Sequence, residues 1–221
     1  MRLLTYLFLF SFIGVTAQYN GNSFTMTHGQ MELVYYDAPT VGSPYLDDMY
    51  KTGTTIISNN SETKRLMRYN AFSDEMEFLS KQDKPLKLLK KENIVVELDG
   101  KTYKVYPYRY KGKKAKGYFN PLNEGEVVLY LQPRKKLIPA ENIEHGYDDI
   151  DPAQYLNDFN YYLKKGDNSL EKIDLGKKDI LYVLRDRHDE LKTFIKENDL
   201  KLRKESDALQ VIAYYNDLAV N

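Results

Sequence analysis

Three groups of side chains in this chain could do chemistry. The densest lies in an acid-rich loop over 141–152, where Glu144, Asp148, Asp149 and Asp151 stand close together. Carboxylate oxygens on loops are the ligands Ca²⁺ prefers, so these four are the candidate metal ligands and Ca²⁺ the candidate cofactor. The loop lacks the central glycine and terminal glutamate of an EF-hand, and a solvated acidic loop has the same composition. The second group is Glu75 and Glu77, two residues apart on one face of a predicted strand. That spacing separates them by about 7 Å, compatible with a carboxylate pair acting on a glycosidic bond. Alternation with Met76 and Phe78 equally describes the outward face of a sheet. The third group is Tyr106, Tyr108 and Tyr110 at spacing two, with Arg109 and the lysines at 111, 113, 114 and 116 beside them. Aromatic faces bordered by cations can bind a sugar, the edge of a partner's sheet or single-stranded nucleic acid. A tyrosine ladder on the core or on a wetted sheet face gives the same pattern.

Several chemistries have no support in the residues. There is no cysteine, which excludes disulfides, thiolate metal sites and a cysteine nucleophile. His28, His145 and His188 are isolated, without the His-Glu-x-x-His pairing of zinc enzymes. No serine sits in a Gly-x-Ser-x-Gly elbow, and no glycine loop of phosphate-binding type occurs. Basic and acidic residues balance at 32 each, so no global field draws the chain to nucleic acid or an anionic membrane.

The first 17 residues read as a cleavable leader. Met1-Arg2 is a positive start, Leu3 to Val15 is an apolar run, and Val15-Thr16-Ala17 is a small-residue exit. The run is too short to span a bilayer, which takes about 20 residues. No second long apolar run follows, so no transmembrane segment is expected after cleavage. The expectation is export to the periplasm, the cell surface or the medium.

The elements that must position the candidate residues are mostly strands. Thr54–Ile57 is a β-branched run, Leu66–Phe72 alternates, and Met76 and Phe78 continue the alternation. The firmest local feature is Asp99-Gly100, a two-residue loop of the type I′ kind. It sets Leu98 against Lys101 and Val96 against Tyr103, so both strands show their apolar residues to one side. Pro107 implies a sheet edge or bulge. The stretch 111–117 reads as a basic loop. Val127–Leu131 is apolar on both parities, as in a strand covered on two sides. Asp151-Pro152 can cap a helix, and 153–165 fits either helix or strand, read here as a helical turn and then a strand. From Lys177 the period becomes about 3.6 residues. One helix carries Ile180, Leu181 and Leu184; a second, capped by Asp186, carries Leu191, Phe194 and Ile195; a third carries Leu209, Ile212, Ala213 and Leu218.

Short motifs resemble an uncharacterised family of exported Bacteroidota proteins. They are Gly42-Ser43-Pro44-Tyr45-Leu46, Thr52-Gly53, Arg68-Tyr69-Asn70 and Asp74 to Phe78, with Lys177 to Leu181, Leu200-Lys201-Leu202 and Tyr214-Tyr215-Asn216 in the tail. The resemblance implies export from a Gram-negative cell and carries over no activity.

The expected fold is α+β: an antiparallel β-sheet or barrel-like sandwich over 18–173, followed by a short three-helix segment over 174–221 packed on it. The expected function is that of a non-enzymatic binding or envelope-associated structural protein. Its partner would be an envelope or surface protein or a glycan, and not nucleic acid. The alternative is an extracytoplasmic hydrolase using Glu75, Glu77 or the 144–151 acids.

Overall fold

A computed structural model describes residues 40–57, 61–140 and 151–220. Twelve strands are present among them: β1 (Lys51–Ile57), β2 (Ser61–Asn70), β3 (Glu75–Leu79), β4 (Pro85–Lys87), β5 (Ile94–Leu98), β6 (Lys101–Tyr110), β7 (Lys113–Pro121), β8 (Val127–Gln132), β9 (Lys135–Ile138), β10 (Gln154–Asn157), β11 (Asn160–Lys165) and β12 (Glu171–Ile173). Helices α1 (Lys177–Val183), α2 (His188–Glu197) and α3 (Glu205–Val220) follow. Ten strands form one sheet in the order β12-β11-β8-β7-β6-β5-β1-β2-β3-β4, and β9 and β10 form a separate ribbon. The pairing between the named strands is antiparallel, and the ten-stranded sheet curls into a half-barrel. The chain is therefore an α+β fold of the expected kind. Among the described residues no helix is long and apolar enough to cross a membrane.

The turns that set register are local. Asp99 (φ 53°) and Gly100 (φ 70°) both occupy the left-handed region a type I′ loop requires. Leu98 faces Lys101 and Val96 faces Tyr103. Lys111 (φ 48°) and Gly112 (φ 76°) make a second such turn. The expected basic loop over 111–117 is thus a two-residue turn followed by β7, whose lysines pair against β6 from Tyr110↔Lys113 onward. Pro107 lies in β6 beyond the last residue that pairs with β5, so its missing N–H costs no ladder bond on that side.

Two cores share the inner face of the curl. Met67, Tyr69, Met76, Val96, Tyr103, Val105 and Tyr118 form one, inside β1–β7. Val127, Leu129 and Leu163 form the other with the helices, chiefly Ile180, Leu184, Leu191, Val211 and Ile212. On the opposite face of β8, Tyr130 joins Phe119 and Tyr162. The two-sided apolar character of Val127–Leu131 has this cause. In α3 the buried face is Ala208, Val211, Ile212 and Tyr215, while Ala213 is exposed.

Two local readings are corrected. Residues 154–157 are strand, because Tyr155 N–H donates to Val41 C=O (2.9 Å) and β10 pairs with β9. Asp151-Pro152 accordingly caps no helix. Asp186 lies in a single 3₁₀ turn, Arg185–Arg187, and does not cap α2. Its carboxylate instead accepts from Tyr215 Oη (2.7 Å) and Lys165 Nζ (2.9 Å), tying α3 to β11. Asn216 makes a second tie. Its Oδ1 accepts the Val127 N–H (2.9 Å), and its Nδ2 donates to Val127 C=O (2.9 Å). Gly125 (φ +123°) permits this approach, since a Cβ there would lie 2.4 Å from Asn216 Nδ2.

The curl is held at one seam. β7 and β8 pair at Asn120↔Leu131 and Pro121↔Tyr130, and among the described residues no strand pairs with that edge of β7 before Asn120. Asp74, at the start of β3, supplies the partner: its Oδ1 accepts the Tyr118 backbone N–H (3.2 Å) and the Tyr69 hydroxyl (2.6 Å). Its Oδ2 meets Lys90 Nζ at 2.9 Å and Arg134 Nη1 at 3.9 Å. Asp74 is 3 % exposed and adopts φ 58°, which a short carboxylate side chain tolerates. Replacing Asp74 with Asn keeps that conformation but strips the charge from two cations and unbalances two buried donors. We expect Asp74→Asn to cost about 2–3 kcal/mol, read as a thermal midpoint lowered by about 5–10 °C. An unchanged midpoint would show that the seam does not depend on this carboxylate.

Candidate functional site

The proposed Ca²⁺ ligands Glu144, Asp148 and Asp149 lie outside the described residues. Asp151 is exposed on the approach to β10, and no cluster of three or more metal-ligating side chains occurs among the described residues.

Glu75 and Glu77 share one face of β3, and each is engaged by a cation from a neighbouring strand. Lys87 on β4 meets Glu75 at 2.6 Å, and Ser73 Oγ donates to the same oxygen (3.1 Å). Burial raises the Glu75 pKa, but these two bonds outweigh it and hold the carboxyl below its usual value. Glu77 is 8 % exposed. Its Oε2 accepts Arg68 Nε (3.1 Å) and Nη2 (3.0 Å), in a charge-assisted pair. The guanidinium is sandwiched between the rings of Tyr45 (3.6 Å) and Tyr50 (4.4 Å), and Nη2 also donates to the Tyr45 hydroxyl (2.7 Å). Burial and the adjacent Glu77 carboxylate push the Tyr45 phenol up. The arrangement presents Glu77 as the acceptor of a cation-and-aromatic clamp.

The tyrosines of β6 divide. Tyr106 and Tyr108 pack into the aromatic cluster: Tyr106 Oη lies 3.0 Å from Tyr130 Oη, and Tyr108 meets Phe119 and Tyr162 edge-on at 5.3 and 5.9 Å. Tyr110, 48 % exposed, is the open member of the face. Arg109 has the opposite parity, is exposed, and donates to Gly112 C=O at 3.5 Å. Beneath Tyr108, Gly117 lets β7 pass close to Gln132. A Cβ at that glycine would stand 2.6 Å from Gln132 Nε2. Tyr162 Oη donates to Gln132 Oε1 (3.4 Å). The Gln132 amide lies near enough to the Tyr108 hydroxyl to favour its ionised form, although burial is the larger effect and raises it. Gln132 Nε2 has no hydrogen bond of good geometry.

A cleft of about 260 Å³ opens on the inner face of the curl. Met67 and Tyr69 of β2, Leu98 of β5, Tyr103 of β6 and Leu131 of β8 line it. That strands so far apart in the sheet meet at one cavity follows from the curl. Met49 and Phe159, 73 % and 44 % exposed, form apolar lips. The rim carries Asp47, Lys51, Asp99 and Lys101, and Lys51 Nζ bridges Asp47 (2.7 Å) and Asp99 (3.0 Å). No motif marks this site, because its lining is ordinary core-facing residues. The hairpin at Asp99-Gly100 was the available signal: its register turns Leu98 and Tyr103 to one side and sets Asp99 at the lip. A second cavity, about 340 Å³, lies between the β11–β12 hairpin and α1, beside the Lys165–Asp186 pair.

The chain matches no family model, no curated protein and no solved structure.

Burial shifts the tyrosines coherently. It pushes Tyr103, Tyr161 and Tyr162 from 10.0 up to about 12, with Glu205 adding to the effect at Tyr161. A phenol whose value is higher folded than unfolded stabilises the fold fully below pH 10. That contribution is lost as pH climbs from 10 to about 12. We expect the chain to unfold cooperatively in that window, with phenolate absorbance of the buried tyrosines appearing in the same transition as the loss of β-sheet circular dichroism. Phenolate appearing well before unfolding would contradict this.

Proposed function

We propose that the chain is an exported, non-enzymatic binding module that holds a small ligand in the cleft on the inner face of its half-barrel. The observation that carries this is the cleft itself: an apolar floor of Met67, Leu98 and Leu131 beneath a charged rim. Concave sites with apolar walls and a few polar groups are where proteins take up small molecules. The leader read in residues 1–17, and the motifs resembling exported Bacteroidota proteins, support the export half of the reading.

Binding is favoured over carboxylate hydrolysis by the state of Glu75 and Glu77. An acid–base pair needs one carboxyl held protonated near neutral pH. Glu75 is instead held below its usual value, and Glu77 is clamped by Arg68. Neither residue lines the cleft.

The test is Leu131→Trp, which fills the cleft from β8. A fragment mixture screened by saturation-transfer NMR should give binders to the native chain that disappear with the variant, while the variant melts at a similar temperature. Fragments that bind both proteins equally would overturn the reading.

A further inference from the structure

The floor of the cleft holds a tyrosine hydroxyl that no side chain or backbone group among the described residues engages. Tyr103 is 2 % exposed and lines the cavity. It packs against Tyr69 with ring centroids 5.2 Å apart, and its hydroxyl has no hydrogen-bond partner among the described residues. The equivalent oxygen on Tyr69 is taken by Asp74 at 2.6 Å. A hydroxyl that faces a cleft from an otherwise buried ring can be met there by a ligand or an ordered water.

We propose, resting on the binding reading above, that the cleft takes an uncharged small molecule: an aliphatic or aromatic body bearing one neutral oxygen acceptor, such as an ester, ketone or ether, that receives the Tyr103 hydroxyl. The apolar body lies on Met67, Leu98 and Leu131 and leaves between the lips. Two features set the charge class. The charges around the cleft balance: Lys51 is shared by Asp47 and Asp99, Arg68 is taken by Glu77, and Lys101 offsets the remaining acid. The rim therefore gives a net-charged ligand no compensating field. In addition, Asp99 acts on the Tyr103 oxygen so as to disfavour negative charge there, which works against a carboxylate seated on that hydroxyl. The phenol is protonated at neutral pH, so its O–H is available to donate to an acceptor on the ligand.

Methyl octanoate and octanoate share one apolar body and differ in head-group charge, so they separate the classes. Titrated into the full chain at neutral pH and followed by NMR, methyl octanoate should bind at least about tenfold more tightly than octanoate. Tyr103→Phe, which removes only the hydroxyl, should weaken the ester about fivefold. Asp99→Asn should narrow the gap between the two probes. Octanoate binding as tightly as the ester, or an ester affinity unchanged in Tyr103→Phe, overturns the ligand class and leaves the cleft standing. Failure of both probes on the native chain also overturns the class, and the fragment screen on Leu131→Trp judges the cleft independently. Both probes binding undiminished to Leu131→Trp overturns the class and the cleft together.

Discussion

A curled sheet has to deal with the strand edge that its own curvature exposes, and here one carboxylate does so. Asp74 reaches across the seam to the Tyr118 amide, where β7 has left its pairing with β8. A buried amide without a partner costs about 1–3 kcal/mol, and a buried carboxylate without compensation costs more. The two needs are met together. The same carboxylate takes the Tyr69 hydroxyl from inside the curl and an ammonium from Lys90. Arg134 approaches it while donating to Phe72 C=O (2.9 Å), so the segment after β8 is drawn to the same point. Nearby, Lys116 and Glu92 close across the gap at 2.8 Å on the surface. Holding β3 against β7 keeps β2, β5, β6 and β8 around one cavity, so the cleft depends on the seam.

The helices serve the sheet rather than forming a separate body. α1 and α2 have 7 and 10 residues, lengths at which an isolated helix is marginal. Their apolar faces close over Val127, Leu129 and Leu163. The polar ties follow the same logic: Asn216 satisfies the first backbone groups of β8, and the Asp186–Tyr215–Lys165 group joins the 3₁₀ turn, α3 and β11. Phe194 and Tyr214 stack at 4.1 Å between α2 and α3. One face of β8 is thus sealed by helix and the other by the tyrosine cluster.

Some of the acids and aromatics that stood out in the residue pattern are engaged by other parts of the fold. Glu77 was conspicuous as one of a carboxylate pair, and in the fold it receives Arg68 between two tyrosine rings. Tyr106 and Tyr108 were conspicuous as a ladder, and they fill an aromatic cluster behind β7 and β8. The cleft is made from residues with no distinguishing pattern. This inversion has a physical cause. Charged and aromatic residues bury well only with particular partners, so a stable fold spends them on each other. A binding cavity needs only a concavity among ordinary apolar side chains.

What the residues determined alone is what depends on near neighbours. The two-residue loop at Asp99-Gly100 needs positive φ at both positions, and that requirement sets the register of β5 against β6. The apolar parity of Met67, Tyr69 and Ala71 points them inward, and the helical period after Lys177 phases three helices. The turn at Lys111-Gly112 escaped because lysine in the left-handed region has no local signature. The strand at 154–157 escaped because its bonds go to β9 and to Val41, far along the chain. Only the tertiary structure could decide that Asp74 bridges a seam, that Arg68 claims Glu77, and that Tyr103 lines the cleft with its hydroxyl unengaged among the described residues. Each of these is settled by side chains from strands that meet through the curl, and curvature is a property of the whole sheet.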